Sequence, residues 1–170
     1  NDGIETVIIM ATIFGSEVVG LSPPELIVYF IIIQGMGFVG ALFFGWLSDH
    51  IGNKHSLLIC LGVWVIIVLW AYKLGWAINL KYDYYIIGIL AGFVMGGSQS
   101  SARSLQALFT PRDRSAEFFG FFSVSGRLAS IFGPLIYGLA IVITGSLKSG
   151  ILILSTFFIV GGAILWTVDE

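Results

Sequence analysis

Apolar residues run along this chain in long unbroken stretches separated by short polar clusters. Leu57 to Trp70 and Ile151 to Val160 are apolar on every side, with no alternation of apolar and polar positions. Strands of a membrane barrel alternate every second residue, so these stretches predict helices. Reading the runs against the breaks predicts six: about 4–19, 26–47, 56–72, 85–109, 116–143 and 151–168. Ser22-Pro23-Pro24-Glu25 marks a turn and a helix start, since proline is tolerated in a first helical turn. A polar loop, 48–55, follows the second helix. Around the loop at 73–83 stand Trp76, Tyr82, Tyr84 and Tyr85, the mixture expected at a headgroup boundary. The fourth helix stops at Thr110-Pro111-Arg112-Asp113-Arg114, and Pro134 predicts a kink inside the fifth.

Composition turns these helices into membrane spans. Hydrophobic residues make up 57% of the 170 positions and charged residues 11%, with a mean hydropathy of +0.98. Soluble domains carry about 25% charged residues. A bilayer absorbs the excess at about 20 apolar residues per span. The fold class expected is therefore an all-α membrane protein of six transmembrane helices in one domain. The first helix is short for a span and the last ends at Asp169-Glu170, so both ends read as trimmed. Net charge is −2 without a basic run, and nucleic acid is not an expected partner. Cys60 is the single cysteine and lies in an apolar run. Lys54, Arg112 and Arg114 share one side of the membrane, against Lys73, Lys81 and Lys148 on the other. Arg103 and Arg127 tip the balance toward the first side, taken as cytoplasmic.

Polar side chains divide the helices unequally. The third and sixth carry almost none and can face lipid. The first, fourth and fifth carry Asp2, Glu5, Gln99, Arg103, Gln106 and Arg127. A charge within a span costs at least about 2.5 kcal/mol, so such residues face a cavity or a partner. Gln99, Arg103, Gln106 and Thr110 fall within about 60° of one another on the fourth helix. Arg103 lies roughly 10 Å from the helix end and can also snorkel, whereas Arg127 lies about 15 Å in. Small residues form a second pattern: Gly88, Gly92 and Gly96 on the fourth helix, Gly126, Pro134 and Gly138 on the fifth, and Gly37, Ala41 and Gly45 on the second. Such ridges let helix backbones approach closely. His50 and His55 lack a metal-binding set around them. No phosphate-binding glycine loop and no nucleophile–base arrangement occurs, so neither an enzyme nor a cofactor is expected.

The loop Gly45-Trp46-Leu47-Ser48-Asp49-His50-Ile51-Gly52-Asn53-Lys54 resembles the loop between the second and third helices of each half in the major facilitator superfamily. There His50 and Asn53 stand where basic residues are usual. Three further stretches, Asn1 to Ile8, Gly96 to Ser104 and Arg112 to Phe121 with Ser125-Gly126-Arg127, are similar to the "unknown major facilitator" group and to fungal vacuolar amino-acid effluxers. The likeness covers essentially the whole chain. It implies the C-terminal six-helix half of a twelve-helix transporter, built as a 3+3 inverted repeat. That half would need a second six-helix half, either upstream in the sequence or from a second copy. The implied activity is efflux or exchange of small solutes, neutral amino acids among them, by alternating access. The implied setting is a bacterial inner membrane, or a vacuolar membrane in a fungus. Carried over by position, Asp2, Glu5, Thr6, Gln99 and Arg103 become cavity candidates. Gly45, Asp49, Gly52, Lys54, Arg112, Glu117 and Arg127 become candidates for a cytoplasmic gating network. The alternatives are a channel subunit, for which rings of one charge would be expected, and a membrane scaffold.

Overall fold

The computed structural model describes residues 11, 13–73, 79–145 and 147–167. All regular structure among them is helical. Helix α1 is described over residues 13–17. It is followed by α2 (Pro23–Ile51), α3 (Asn53–Tyr72), α4 (Leu80–Leu108), a single 3-10 turn (Arg112–Arg114), α5 (Ser115–Thr144) and α6 (Leu147–Trp166).

Several ends differ from the sequence expectation, each for a local reason. Helix α2 starts at Pro23 because Glu25 reaches back to Ser22, accepting from its backbone N–H at 2.7 Å and from its hydroxyl at 2.8 Å. This capping satisfies donors that the first helical turn leaves open. The polar stretch 48–55, read as a loop, is helical on both sides of Gly52. Only that residue breaks the rod, at φ 86° and ψ 154°. Helix α4 begins at Leu80 rather than near 85, and α6 at Leu147 rather than 151. Polarity alone does not stop a helix when no proline or strained glycine interrupts it. Pro134 sits inside α5, which remains helical from Ser115 to Thr144, so the expected kink is not a break.

Helices α2 and α4 pack along one another in parallel. Tyr29 lies against Gly88, Ile33 against Gly92 and Gly37 against Gly96, so both chains advance four residues between contacts. A Cβ on Gly96 would overlap the Gly37 carbonyl, and one on Gly40 would overlap the Phe93 carbonyl. Backbone touches backbone here. Gly40 was not among the predicted small-residue positions, whereas Gly88, Gly92 and Gly96 were.

Helix α3 packs on α4 and α6, and α5 packs on α6. The core centres on α3, where Cys60, Trp64, Ile67 and Val68 are buried. Trp64 stacks on Phe158 of α6 at 5.4 Å, with ring planes 6° apart. Thus the third helix is not simply a lipid-facing one. One face forms the core while Ile59, Ile66 and Leu69 are exposed on the other. A helix apolar all round suits either setting, because its pattern points nowhere. Tyr84, expected at the headgroups, is likewise buried. It stacks on Tyr29 at 4.5 Å and donates to the Ala11 carbonyl at 2.6 Å. Lys81 and Glu25 pair beside them at 3.1 Å across the starts of α4 and α2.

Two described helices, Pro23–Ile51 and Asn53–Tyr72, are long and apolar enough to cross a membrane. Ile131–Thr144 and Leu152–Trp166 are shorter apolar stretches. The outer surface is also apolar, with Val142 and Ile143 each 81% exposed. Such a continuous apolar exterior suits hydrocarbon or another protein surface rather than water.

The glycine contacts lead to a paired prediction. Gly96→Ala should destabilise the intact protein by about 1–3 kcal/mol or more, since carbonyl backbone must move aside. Gly62→Ala on α3, where no described atom lies within 4 Å of a new Cβ, should be neutral or stabilise by about 0.5–1 kcal/mol. Thermal unfolding of both variants in detergent checks the contrast.

Candidate functional site

Along the closest approach of α2 and α4 runs an open cavity of about 520 Å³, a groove on the outer face of the pair in which Gln34, Gln99 and Arg103 are exposed. Helix α2 contributes Gln34, Gly37, Phe38 and Ala41, and α4 contributes Met95, Gly96, Gln99, Ser100, Arg103 and Ser104. Spacings of three and four residues bring each set onto one face of its helix. The two glycines present backbone to the space, and their packing holds the walls together.

The lining is mixed in chemistry. Arg103 supplies a guanidinium with five N–H donors, while Gln34 and Gln99 each supply a carboxamide that donates and accepts. Ser100 and Ser104 add hydroxyls, and Phe38 and Met95 add apolar surface. Such a space can receive a small molecule with an acceptor-rich polar group and an apolar body.

Of the predicted cavity residues, the structure brings Gln99 and Arg103 together here. Asp2, Glu5 and Thr6 lie outside the described residues. Gln34 was missed. Its signal was present, since it is the one carboxamide or charged residue between Leu26 and Leu47 and polar groups in spans usually face the interior. Of the expected polar trio, the fourth helix lines this cavity together with α2, the polar residues of the first helix lie outside the described residues, and Arg127 of the fifth is not among the lining. Counting polar residues per helix overlooked α2 because one glutamine hardly changes the count.

The predicted gating residues are dispersed. Gly45 faces α4, where a Cβ would stand 3.8 Å from the Ser100 hydroxyl. Asp49 is exposed at the end of α2. Gly52 forms the α2–α3 turn, donating its N–H to the Ser48 carbonyl at 3.0 Å. Lys54 donates to the Trp166 carbonyl at 3.1 Å, placing a cation on the C-terminal end of α6. Arg112 belongs to the 3-10 turn, and its side chain lies outside the described residues. Glu117 is exposed in the first turn of α5, and Arg127 is exposed farther along it. Neither lines the cavity. Gly126 was expected to pack against a neighbouring helix, yet no described atom lies within 4 Å of its Cβ position. A glycine ridge shows only that close approach is possible, not which helix approaches.

Long apolar helices with an apolar exterior, carrying one polar-lined groove, are the features of a helical membrane protein. The whole chain, residues 1–170, matches the family model described as "Vacuole effluxer Atg22 like". The protein belongs to that family, whose relatives include transporters of the major-facilitator type. It is 29% identical over 169 residues to the uncharacterized MFS-type transporter YxiO of Bacillus subtilis, covering 99% of this chain and 38% of that one. It is 26% identical over 180 residues to autophagy-related protein 22 of Kluyveromyces lactis, covering 99% and 36%. A third relative, autophagy-related protein 22 of Eremothecium gossypii, is 31% identical over 146 residues, covering 82% and 29%. The chain thus spans about a third of the length of these curated relatives. No solved structure matches it.

The turn between α2 and α3 yields a prediction of its own. At φ 86° and ψ 154°, Gly52 occupies backbone space essentially reserved for glycine, and a side chain there costs about 1–3 kcal/mol. Gly52→Ala should lower the melting temperature of the intact protein. The neighbouring surface change His55→Ala should leave it nearly unchanged.

Proposed function

We propose that this chain is one six-helix half of a secondary active transporter, moving a small solute across a membrane by alternating access. In this reading its helices cross the bilayer as a 3+3 inverted repeat and pair with a second six-helix half. That half comes either from upstream sequence or from a second copy of the chain. The solute is held in the α2–α4 cavity, facing the second half. Neutral amino acids are the substrate class, since the guanidinium and carboxamides lining the groove suit a carboxylate and an ammonium group. The membrane is the inner membrane for a bacterial protein and the vacuolar membrane for a fungal one.

The observation that carries this reading is the cavity itself. Arg103, Gln34 and Gln99 line one open groove along two helices whose other outer faces are apolar. A guanidinium on a membrane helix is costly unless it serves a polar interior. A substrate carboxylate would supply its counter-charge, and the two carboxamides would complete the shell. Phe38 and Met95 would then meet an aliphatic or aromatic side chain. Asp2, Glu5 and Thr6 are assigned to the same cavity from the first helix. Asp49, Lys54, Arg112, Glu117 and Arg127 are assigned to the cytoplasmic face, where the α2–α3 turn meets the other half.

Counterflow of radiolabelled leucine in proteoliposomes carrying the intact protein tests this. Arg103→Gln should reduce uptake at least tenfold, as expected for loss of a charge-assisted contact of about 1.5–3 kcal/mol. Wild-type uptake by Arg103→Gln would exclude Arg103 from the site. Absence of counterflow by the unmodified protein, over a panel of neutral amino acids, would exclude the substrate class.

A further inference from the structure

Behind the cavity, on the opposite side of α4, three serine hydroxyls from three helices meet in the core. Ser101 of α4 lies 3.1 Å from Ser48 of α2 and 3.0 Å from Ser56 of α3, oxygen to oxygen. Their exposures are 1%, 9% and 0%. Counting protons orders the chain. The one hydroxyl proton of Ser48 goes to the Phe44 carbonyl at 2.7 Å, so Ser48 accepts from Ser101, and Ser101 in turn accepts from Ser56. A second polar pin lies one turn away, where the Trp64 indole N–H donates to Ser98 at 3.2 Å.

We infer that the Ser56–Ser101–Ser48 chain is a clasp that sets the rotation of α4 and thereby aims Gln99 and Arg103 into the cavity. Ser101 and Arg103 are two residues apart, about 200° around the helix. A hydroxyl pinned on one side therefore fixes what the other side presents. Around the clasp the core is apolar, and apolar contacts tolerate a small rotation because they have no direction. Hydrogen bonds do not, since they weaken steeply with misalignment. The glycine contacts set how close α2 and α4 come, but small smooth surfaces leave rotation and sliding free. The hydroxyls supply what the glycines omit. Ser48 and Ser56 also flank the Gly52 turn, so this turn and the wall of the cavity are held as one piece. The three serines are positioning residues. Their effect on solute rests on the transporter reading above, whereas their effect on α4 does not.

The test reads rotation directly. In the intact protein, with other reactive cysteines removed, Gln99→Cys, Arg103→Cys or Leu105→Cys is introduced one at a time. The rate of labelling by a small water-soluble thiol reagent is then measured. Positions 99 and 103 face the cavity, and Leu105 is buried on the far side. With the serines intact, 99 and 103 should label at least tenfold faster than 105. Adding Ser48→Ala and Ser56→Ala should slow labelling at 99 and 103 at least threefold and speed it at 105 at least threefold. Thr at both positions should restore the original rates. Rates unchanged within twofold would overturn the inference. If the double-alanine protein fails to fold, the pair Ser56→Cys and Ser101→Cys takes its place. Oxidation should join these two cysteines while a cysteine at position 103 keeps its labelling rate, and in the joined protein that retains Arg103 leucine counterflow should persist. Failure to join, or a joined protein that no longer labels at 103, would overturn it. A missing counterflow in the unmodified protein counts against the transporter reading alone, because the labelling rates still decide the clasp.

Discussion

The backbone contact between α2 and α4 is the constraint on which the rest of this structure depends. Where Gly37 meets Gly96 and Gly40 meets Phe93, no side chain stands between the helices. Dispersion gains from such an approach are individually small but accumulate along the seam. In a bilayer, where lipid is as apolar as leucine, packing of this kind is a main force drawing helices together. The contact also forms the floor of the groove. The cavity opens beside the glycines, and Gln34, Gln99 and Arg103 reach it from walls that the glycines hold in place.

Polar interactions have a different task in this fold. Most of the core is apolar, and the buried hydroxyls of Ser48, Ser56, Ser98 and Ser101 are exceptions gathered on the face of α4 turned from the cavity. Each finds a partner, as a buried hydroxyl must. Their net contribution to stability is modest, about 0.6 kcal/mol for an average hydrogen bond between membrane helices. Direction is what they add. At the far end, Tyr84 bonds to the Ala11 carbonyl and Glu25 pairs with Lys81, so α1, α2 and α4 are tied there too.

The turn at Gly52 links these features to the resemblance noted in the sequence. A single glycine in a conformation closed to other residues reverses the chain between two long helices. Lys54, two residues on, donates to the Trp166 carbonyl at the end of α6. Within this chain, then, that basic residue also closes a helix end. Asp49, by contrast, remains exposed on the same face.

By itself the sequence determined the all-helical character, the order of the helices and the apolar exterior, because unbroken apolar runs admit few other arrangements. It also marked Gly88, Gly92 and Gly96 as a packing ridge and Gln99 and Arg103 as a polar stripe, since helical phase follows from residue number alone. Only the tertiary structure decided which helix meets that ridge, and this is why Gln34 of α2 joined the site while Gly126 of α5 found no described neighbour. The same holds for Trp64 and Tyr84, whose types suit a core or a headgroup region equally. Periodicity reports which residues share a face. It carries no information about what lies opposite, which depends on contacts between residues dozens of positions apart.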